Sequence, residues 1–175
     1  MIASLVTQLA SFFDGWQTLF SDSKLVSTSV TTVHILALLF GGGLAIAADR
    51  TTLRLLREGP ADRSRHLAEL RATHRPVLIA LTALVISGIA LATADVKTFV
   101  PSPVFWLKLG FVFLLLVNGV VLERTETALR REDNESIATS QQKHSRLWSR
   151  LKVSAILSIA LWTATAIVGT ALTSI

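Results

Sequence analysis

The 175-residue chain contains no cysteine, no tyrosine and a single methionine. Without cysteine there can be no disulfide, no thiolate ligand for zinc or an iron–sulfur cluster, and no thiol nucleophile. Charged residues are also scarce, at 17% of the chain, against about 25% in an average soluble domain. Hydrophobic residues make up 51%, which favours a membrane protein. No phosphate-binding glycine loop, dinucleotide fingerprint or zinc-binding histidine pair points to a soluble enzyme.

The net charge of +5 does not indicate nucleic-acid binding, because the charges are confined to two segments. The 17 lysines and arginines lie in segments 49–76 and 123–152, except for Lys24, Lys97 and Lys108. Both segments also carry acidic residues, which is typical of solvated helical faces rather than of a phosphate-binding surface. Two basic loops separated by apolar runs follow the positive-inside rule, which places both loops in the cytoplasm of a bacterium.

Four apolar segments are long enough to cross a membrane as helices: 25–48, 77–94, 104–122 and 153–171. Each has about 18 to 24 residues, which as a helix matches a hydrocarbon core of roughly 30 Å. The predicted fold is all-α, an integral membrane four-helix up-down bundle formed by residues 23–175. With the basic loops inside, both termini and the turn at 95–103 would lie outside the bacterial cytoplasmic (inner) membrane.

Residues 1–22 form a separate amphipathic segment ahead of the first span. Apolar residues recur at helical spacing, with polar residues on the opposite face. The apolar positions are Ile2, Leu5, Val6, Leu9, Phe12, Phe13, Trp16, Leu19 and Phe20. A helix with aromatic residues on one side is expected to lie in the membrane interface rather than to span it. Packing of the same face against a partner subunit is the alternative that the pattern leaves open.

Glycine and proline predict where the helices pack and where they end. The run Gly41–Gly43 falls inside the first span, where it would allow close approach of another helix backbone. Gly59-Pro60 should interrupt the following loop, and Asp62 is a plausible cap for a short amphipathic helix over 63–73. Pro76 is expected in the first turn of the second span, because its missing N–H costs nothing there.

Two ionisable residues lie inside predicted spans, His34 in the first and Lys108 in the third. Such a group costs roughly 2.5–3.5 kcal/mol by insertion scales and usually faces the protein interior. The two lie roughly 13 Å and 6 Å of helical rise from the outer ends of their spans. Both therefore belong to the outer half of the bundle, and the long lysine side chain could bridge the difference in depth. A neutral imidazole could ligate haem iron or copper. A lysine could pair with a haem propionate or, if deprotonated, act as a ligand itself.

Purely structural roles are the alternatives for both residues. His34 could hydrogen-bond a neighbouring helix and do nothing else. Lys108 is close enough to the surface for its ammonium group to extend past Trp106 into the lipid headgroups. In the functional interpretation, Asp95, at the outer end of the second span, could complete a polar cluster with the pair.

The other three histidines belong to the cytoplasmic side. His74 and His144 each lie shortly before a span that runs outward, so they could approach one another and form a second, inner site. About 21 Å of helix separates His34 from the inner end of its span, so it cannot share a metal ion with His74. His66 has no evident role.

Two segments resemble small bacterial membrane proteins of the CopD/HemJ-like group, which includes families of unknown function. Segment 32–53, TVHILALLFGGGLAIAADRTTL, resembles their first helix. Their second and third helices resemble segment 86–118, in which SGIALATAD is followed by SPVFWLKLGFVFLLLVN. The HemJ type is similar to a protoporphyrinogen oxidase of haem synthesis, and the CopD type is associated with copper movement. In the HemJ type a first-helix histidine and a third-helix lysine are tied to haem binding and activity. The resemblance therefore implies that role for His34 and Lys108.

The leading hypothesis is a membrane protein that binds haem b in the outer half of the bundle, for electron transfer or porphyrin redox chemistry. His34 and Lys108 would be the cofactor-binding residues, with His34 as a ligand of the haem iron. The first alternative is a non-catalytic accessory subunit of a larger membrane complex, or a homo-oligomer, joined through residues 1–22 and the glycine-rich span. A metal-ion (copper) carrier is less favoured, because such proteins usually contain methionine and histidine clusters.

Overall fold

The fold is taken from a computed structural model of the chain. It describes the backbone of residues 2–58, 63–134 and 141–172, and the side chains of residues 4–57, 72–129, 131 and 145–172. Within these ranges the chain is all-helical, as predicted. Gly59-Pro60, Asp62 and the side chains of His66 and His144 lie outside the described residues, so the roles suggested for them stay predictions.

Short helices precede and separate four long ones along the described chain. In order, the helices are α1 (Ile2–Phe12), α2 (Asp14–Asp22), α3 (Lys24–Glu58), α4 (Arg63–Ala94), α5 (Val96–Phe99), α6 (Pro103–Asn134) and α7 (Gln141–Leu172). Four segments are long and apolar enough to cross a membrane: Lys24–Arg57, Ala72–Ala94, Pro103–Leu129 and Ser145–Leu172. Each contains one of the predicted spans, so the prediction of four membrane-length apolar helices is confirmed.

Large apolar side chains cover the outside of the long helices. Leu39, Ile79, Phe113 and Ile167 are each more than 60% exposed. A soluble protein rarely leaves so much apolar surface in contact with water. The exposed surface therefore suits a hydrocarbon solvent around the four helices.

The N-terminal segment forms two helices instead of the single one expected. α1 ends at Phe12 and α2 begins at Asp14, although backbone hydrogen bonds continue on both sides of Phe13. Asp14 and Gly15 follow the break, and both residue types disfavour a helix interior. The indole N–H of Trp16 donates to the carbonyl of Ala90 on α4 at 3.0 Å, which fastens α2 to that helix.

Pro76 lies inside α4, not in its first turn as predicted, because the helix already begins at Arg63. Since proline has no N–H, the carbonyl of Ala72 cannot receive the usual helical hydrogen bond. An interior proline costs about 3 kcal/mol or more in a soluble helix. Membrane helices tolerate the loss because neighbouring helices, hydroxyl side chains and water can satisfy the freed carbonyl.

The long helices pack around a common apolar interior. α3 contacts α4 and α7, α6 contacts α7, and α4 meets α6 over a smaller area. Seven buried residues form the core: Ala37, Ala45, Leu81, Leu84, Leu115, Leu161 and Trp162. A Cβ on Gly41 would lie 2.9 Å from the Cβ of Ala80, and one on Gly42 would lie 3.1 Å from the Trp162 ring. These two glycines therefore serve close packing within the chain.

A second apolar core lies where the helices continue beyond the spans 25–48, 104–122 and 153–171 that the sequence predicts. Leu129, Leu147, Trp148 and Leu151 form it, with Leu55 packed against them. Helices of 32 to 35 residues extend about 48–52 Å, well beyond a hydrocarbon core of roughly 30 Å. The basic segments 49–58 and 123–134 are therefore helical continuations rather than loops.

Candidate functional site

The structure brings His34 and Lys108 together, a contact that their predicted depths allowed. Lys108 Nζ on α6 lies 3.4 Å from Nε2 of His34 on α3, and both side chains are partly buried. The second ring nitrogen of His34, Nδ1, lies 3.0 Å from Oγ of the buried Ser87 on α4. We refer to His34, Ser87 and Lys108 as the outer centre.

The direction of the hydrogen bonds in the outer centre follows from Ser87. Its hydroxyl lies 2.6 Å from the carbonyl of Ala83, one turn earlier, and donates its proton there. Ser87 Oγ is then an acceptor for an N–H on Nδ1 of His34. In a neutral imidazole, Nε2 consequently carries the lone pair, and that lone pair faces Lys108 Nζ.

Two glycines make room for these side chains. A Cβ on Gly88 would lie 3.3 Å from Cε1 of His34, and a Cβ on Gly169 would lie 3.4 Å from Nζ of Lys108. Gly88 is on α4 and Gly169 is on α7, so all four long helices contribute to the outer centre. Lys108 points inward and does not extend past Trp106 to the headgroups, which was the structural alternative.

Asp95 forms its hydrogen bond within the adjacent turn. Its carboxylate accepts a hydrogen bond from the backbone N–H of Thr98 at 3.2 Å and caps α5. Among the described side chains no carboxylate forms an ion pair with Lys108. The ammonium group therefore has an imidazole, but no acid, beside it.

A second polar region lies further towards the C-terminal end of α3, at Asp49. Asp49 directly follows the first predicted span, 25–48, and yet it is only 2% exposed. The hydroxyl of Ser158 on α7 is its hydrogen-bond partner, and its Oδ2 atom has no partner among the described residues. Asp49 borders a partly enclosed space of about 60 Å³, here called the inner cavity. His74, Asn118 and Ser158 supply further polar atoms to its wall.

The rim of the inner cavity carries His74. Its Nε2 lies 3.6 Å from a carboxylate oxygen of Glu123 on α6. The Glu123 side chain is 59% exposed. The hypothesis of a second site shared by His74 and His144 stays a prediction, because the His144 side chain lies outside the described residues. No three His, Asp or Glu side chains group as metal ligands within the described ranges.

Sequence reasoning missed Ser87 and the burial of Asp49. Ser87 sits in the second span at the depth of His34, and pairing polar residues of equal depth on adjacent spans would have found it. Asp49 follows an apolar run and precedes Arg50, which is the usual pattern of a helix leaving the membrane. The continuation of α3 and its packing among α4, α6 and α7 bury the carboxylate.

Comparisons with known proteins do not extend this description. No protein-family model, curated protein or solved structure matches the chain.

Proposed function

We propose that the chain is an integral protein of the bacterial cytoplasmic membrane and that the outer centre is its functional site. The four apolar helices and their exposed apolar surface support the membrane assignment. In this arrangement the helices form an up-down bundle. The basic segments 49–76 and 123–152 face the cytoplasm and both termini lie outside. The apolar side of residues 1–22 lies in the membrane interface.

The outer centre would hold haem b for electron transfer or porphyrin redox chemistry. The observation that carries this proposal is the 3.4 Å contact between His34 Nε2 and Lys108 Nζ among four apolar helices. An imidazole nitrogen with a lone pair is a common haem ligand. An ammonium group with no acidic partner suits a propionate. Haem, when bound, supplies one-electron chemistry.

The fit of haem to these residues rests on their chemistry. Gly88 and Gly169 let α4 and α7 lie close to His34 and Lys108, because a Cβ at either position would crowd those side chains. Because Lys108 Nζ faces the Nε2 lone pair, that lone pair becomes available to iron only when this contact opens. The lysine would then be free to pair with a carboxylate of the cofactor.

The test is optical spectroscopy of the protein purified in mild detergent. Reduced-minus-oxidised spectra should show b-type haem bands, and added haemin should restore them in preparations that have lost the cofactor. H34A should abolish or shift these bands, and K108A should weaken haem retention. H74A, which removes a histidine of the inner cavity, is the matched control and should leave the spectrum unchanged. Absence of haem bands in the wild type, both as purified and after haemin addition, would overturn the proposal.

A non-catalytic subunit of a larger membrane complex is the second candidate. Phe12, on α1, is 81% exposed, and Leu5 and Leu9 on the same helix are 53% and 43% exposed. Gly43 faces open space, whereas Gly41 and Gly42 are used inside the chain. Crosslinking at native expression levels should then recover a partner, and F12A should reduce its yield. Recovery of the monomer alone would argue against this role.

A further inference from the structure

Asp49 is a buried carboxylate with an unsatisfied oxygen atom. The residue is 2% exposed, Ser158 is its hydrogen-bond partner, and Oδ2 has no partner among the described residues. No described lysine or arginine forms an ion pair with it, and the adjacent Arg50 is exposed. A buried charge is very costly unless it is paired. The carboxylate therefore needs either a proton or a cation.

The inner cavity beside Asp49 has the size for an ion and little else. Its volume of about 60 Å³ compares with the 300–1,000 Å³ of typical organic-ligand pockets. One water needs roughly 10–15 Å³ by this measure. The space therefore accommodates a small ion with a few waters and excludes haem or another organic cofactor.

Four of the residues that line the cavity carry side-chain oxygen atoms: Asp49, Thr73, Asn118 and Ser158. The Asn118 carbonyl accepts one hydrogen bond, from Ser154, and retains a second lone pair. Carboxylate, carbonyl and water oxygens are the ligands of hard cations.

The single negative charge of Asp49 favours a monovalent cation in the cavity. Asp49 is the one carboxylate among the described residues of the cavity wall, so one positive charge neutralises it and a divalent cation would leave an excess. The titratable groups that face the cavity from neighbouring helices are His74 of α4 and, at the rim, Glu123 of α6. Glu123 is 59% exposed and is solvated.

We propose that the inner cavity binds a monovalent cation of the size of Na⁺, with Asp49 as its anionic ligand and Asn118 and Ser158 as neutral oxygen ligands. A proton on Asp49 competes with the ion. This site is separate from the outer centre and does not depend on haem.

The experiment measures thermal unfolding of the detergent-purified protein in NaCl and in N-methylglucamine chloride of equal ionic strength. A specific site raises Tm with Na⁺ in a saturable manner, because the ion binds the folded state. The half-saturating Na⁺ concentration should rise as the pH is lowered, since protons compete for Asp49. D49N should abolish the difference between the two salts. D95N, which changes a carboxylate at the turn, should retain it.

S158A keeps the carboxylate and removes one ligand, so it should need about tenfold more Na⁺ for the same shift, a loss of about 1.4 kcal/mol. This variant also tests the proposal if D49N fails to fold. Equal Tm values in the two salts across pH 6 to 9 would show that Asp49 is simply protonated, and would overturn the proposal. A Na⁺ effect that survives in D49N, or a larger shift with Mg²⁺ or Ca²⁺, would also overturn it.

Discussion

Asn118 and Ser154 join α6 and α7 through two hydrogen bonds. The Ser154 hydroxyl donates to Oδ1 of Asn118 at 2.9 Å, and Nδ2 of Asn118 donates to the Ser154 carbonyl at 3.1 Å. Both residues are buried, at 7% and 3% exposure. A side-chain amide among apolar residues is tolerable because these partners satisfy it. The pair fixes the depth of α6 relative to α7.

Replacing Asn118 with alanine should destabilise the protein by about 1–3 kcal/mol, because Ser154 loses its acceptor inside the protein. Thermal unfolding in detergent measures the change. A double-mutant cycle with S154A should give a coupling of about 0.6 kcal/mol, the average for hydrogen bonds between membrane helices, and not more than about 1.7 kcal/mol, the largest value found for them. T163A is the control, since the Thr163 hydroxyl bonds the Ile159 carbonyl of its own helix. An N118A variant as stable as T163A would show that the pair is not stabilising.

Replacing Gly41 with alanine should destabilise the protein even though alanine is the better helix former. The new methyl group would meet the Cβ of Ala80 at 2.9 Å and the Trp162 ring at 3.3 Å. Overpacking of this kind costs about 1–3 kcal/mol, against a gain of about 1 kcal/mol in helix propensity. G43A is the matched control, because nothing lies within 4 Å of its Cβ position. G43A should be neutral or stabilising, and equal unfolding temperatures for the two variants would contradict the packing described.

The imidazole of His34 should be in the Nδ1–H form whenever it is neutral, because Ser87 accepts from that nitrogen. Nitrogen-15 NMR of histidine-labelled protein distinguishes the two tautomers. S87A removes the acceptor and should shift the population towards Nε2–H. G88A should change the ring chemical shifts, since its Cβ would press on Cε1. G110A is the control, because nothing lies within 4 Å of the Cβ position of Gly110 on α6. It should leave the ring chemical shifts unchanged. An Nε2–H ring in the wild type would contradict the hydrogen-bond directions assigned.

The orientation in the membrane can be tested because the chain has no cysteine of its own. A single cysteine at Lys97, in α5, should react with a membrane-impermeant maleimide in intact spheroplasts. A single cysteine at Arg146, which is exposed at the start of α7, should react only after lysis. Labelling of intact cells at Arg146 and not at Lys97 would invert the proposed topology. Labelling of both would mean that the chain does not keep one orientation.

The sequence predicted the apolar helices and assigned similar depths to His34 and Lys108, because both inferences depend on one-dimensional quantities. Segment length determines what can cross a membrane, and helical rise determines depth. Two residues of similar depth on helices that run in the same direction can meet if both face the interior. The partner of His34 on α4 required one further piece of information, the rotation of that helix about its axis.

The burial of Asp49 depends on packing between distant segments, which hydropathy does not describe. A charge at the end of an apolar run is usually solvated, whereas residues of α4, α6 and α7 surround this one. The length of α4 was also underestimated, because a proline normally interrupts a helix and Pro76 was expected near the start of one. In both cases the local residue preference was overruled by tertiary contacts.

The apolar core between His34 and Asp49 has an electrical consequence. About 22 Å of helical rise separates the two residues on α3, and Ala37 and Ala45 of that helix belong to the core between them. In an energised membrane most of the voltage falls across such a low-dielectric layer. Transfer of one elementary charge through the full potential is worth about 2.3 kcal/mol per 100 mV. Any charge taken up at one centre and released at the other would therefore make this small protein sensitive to membrane voltage.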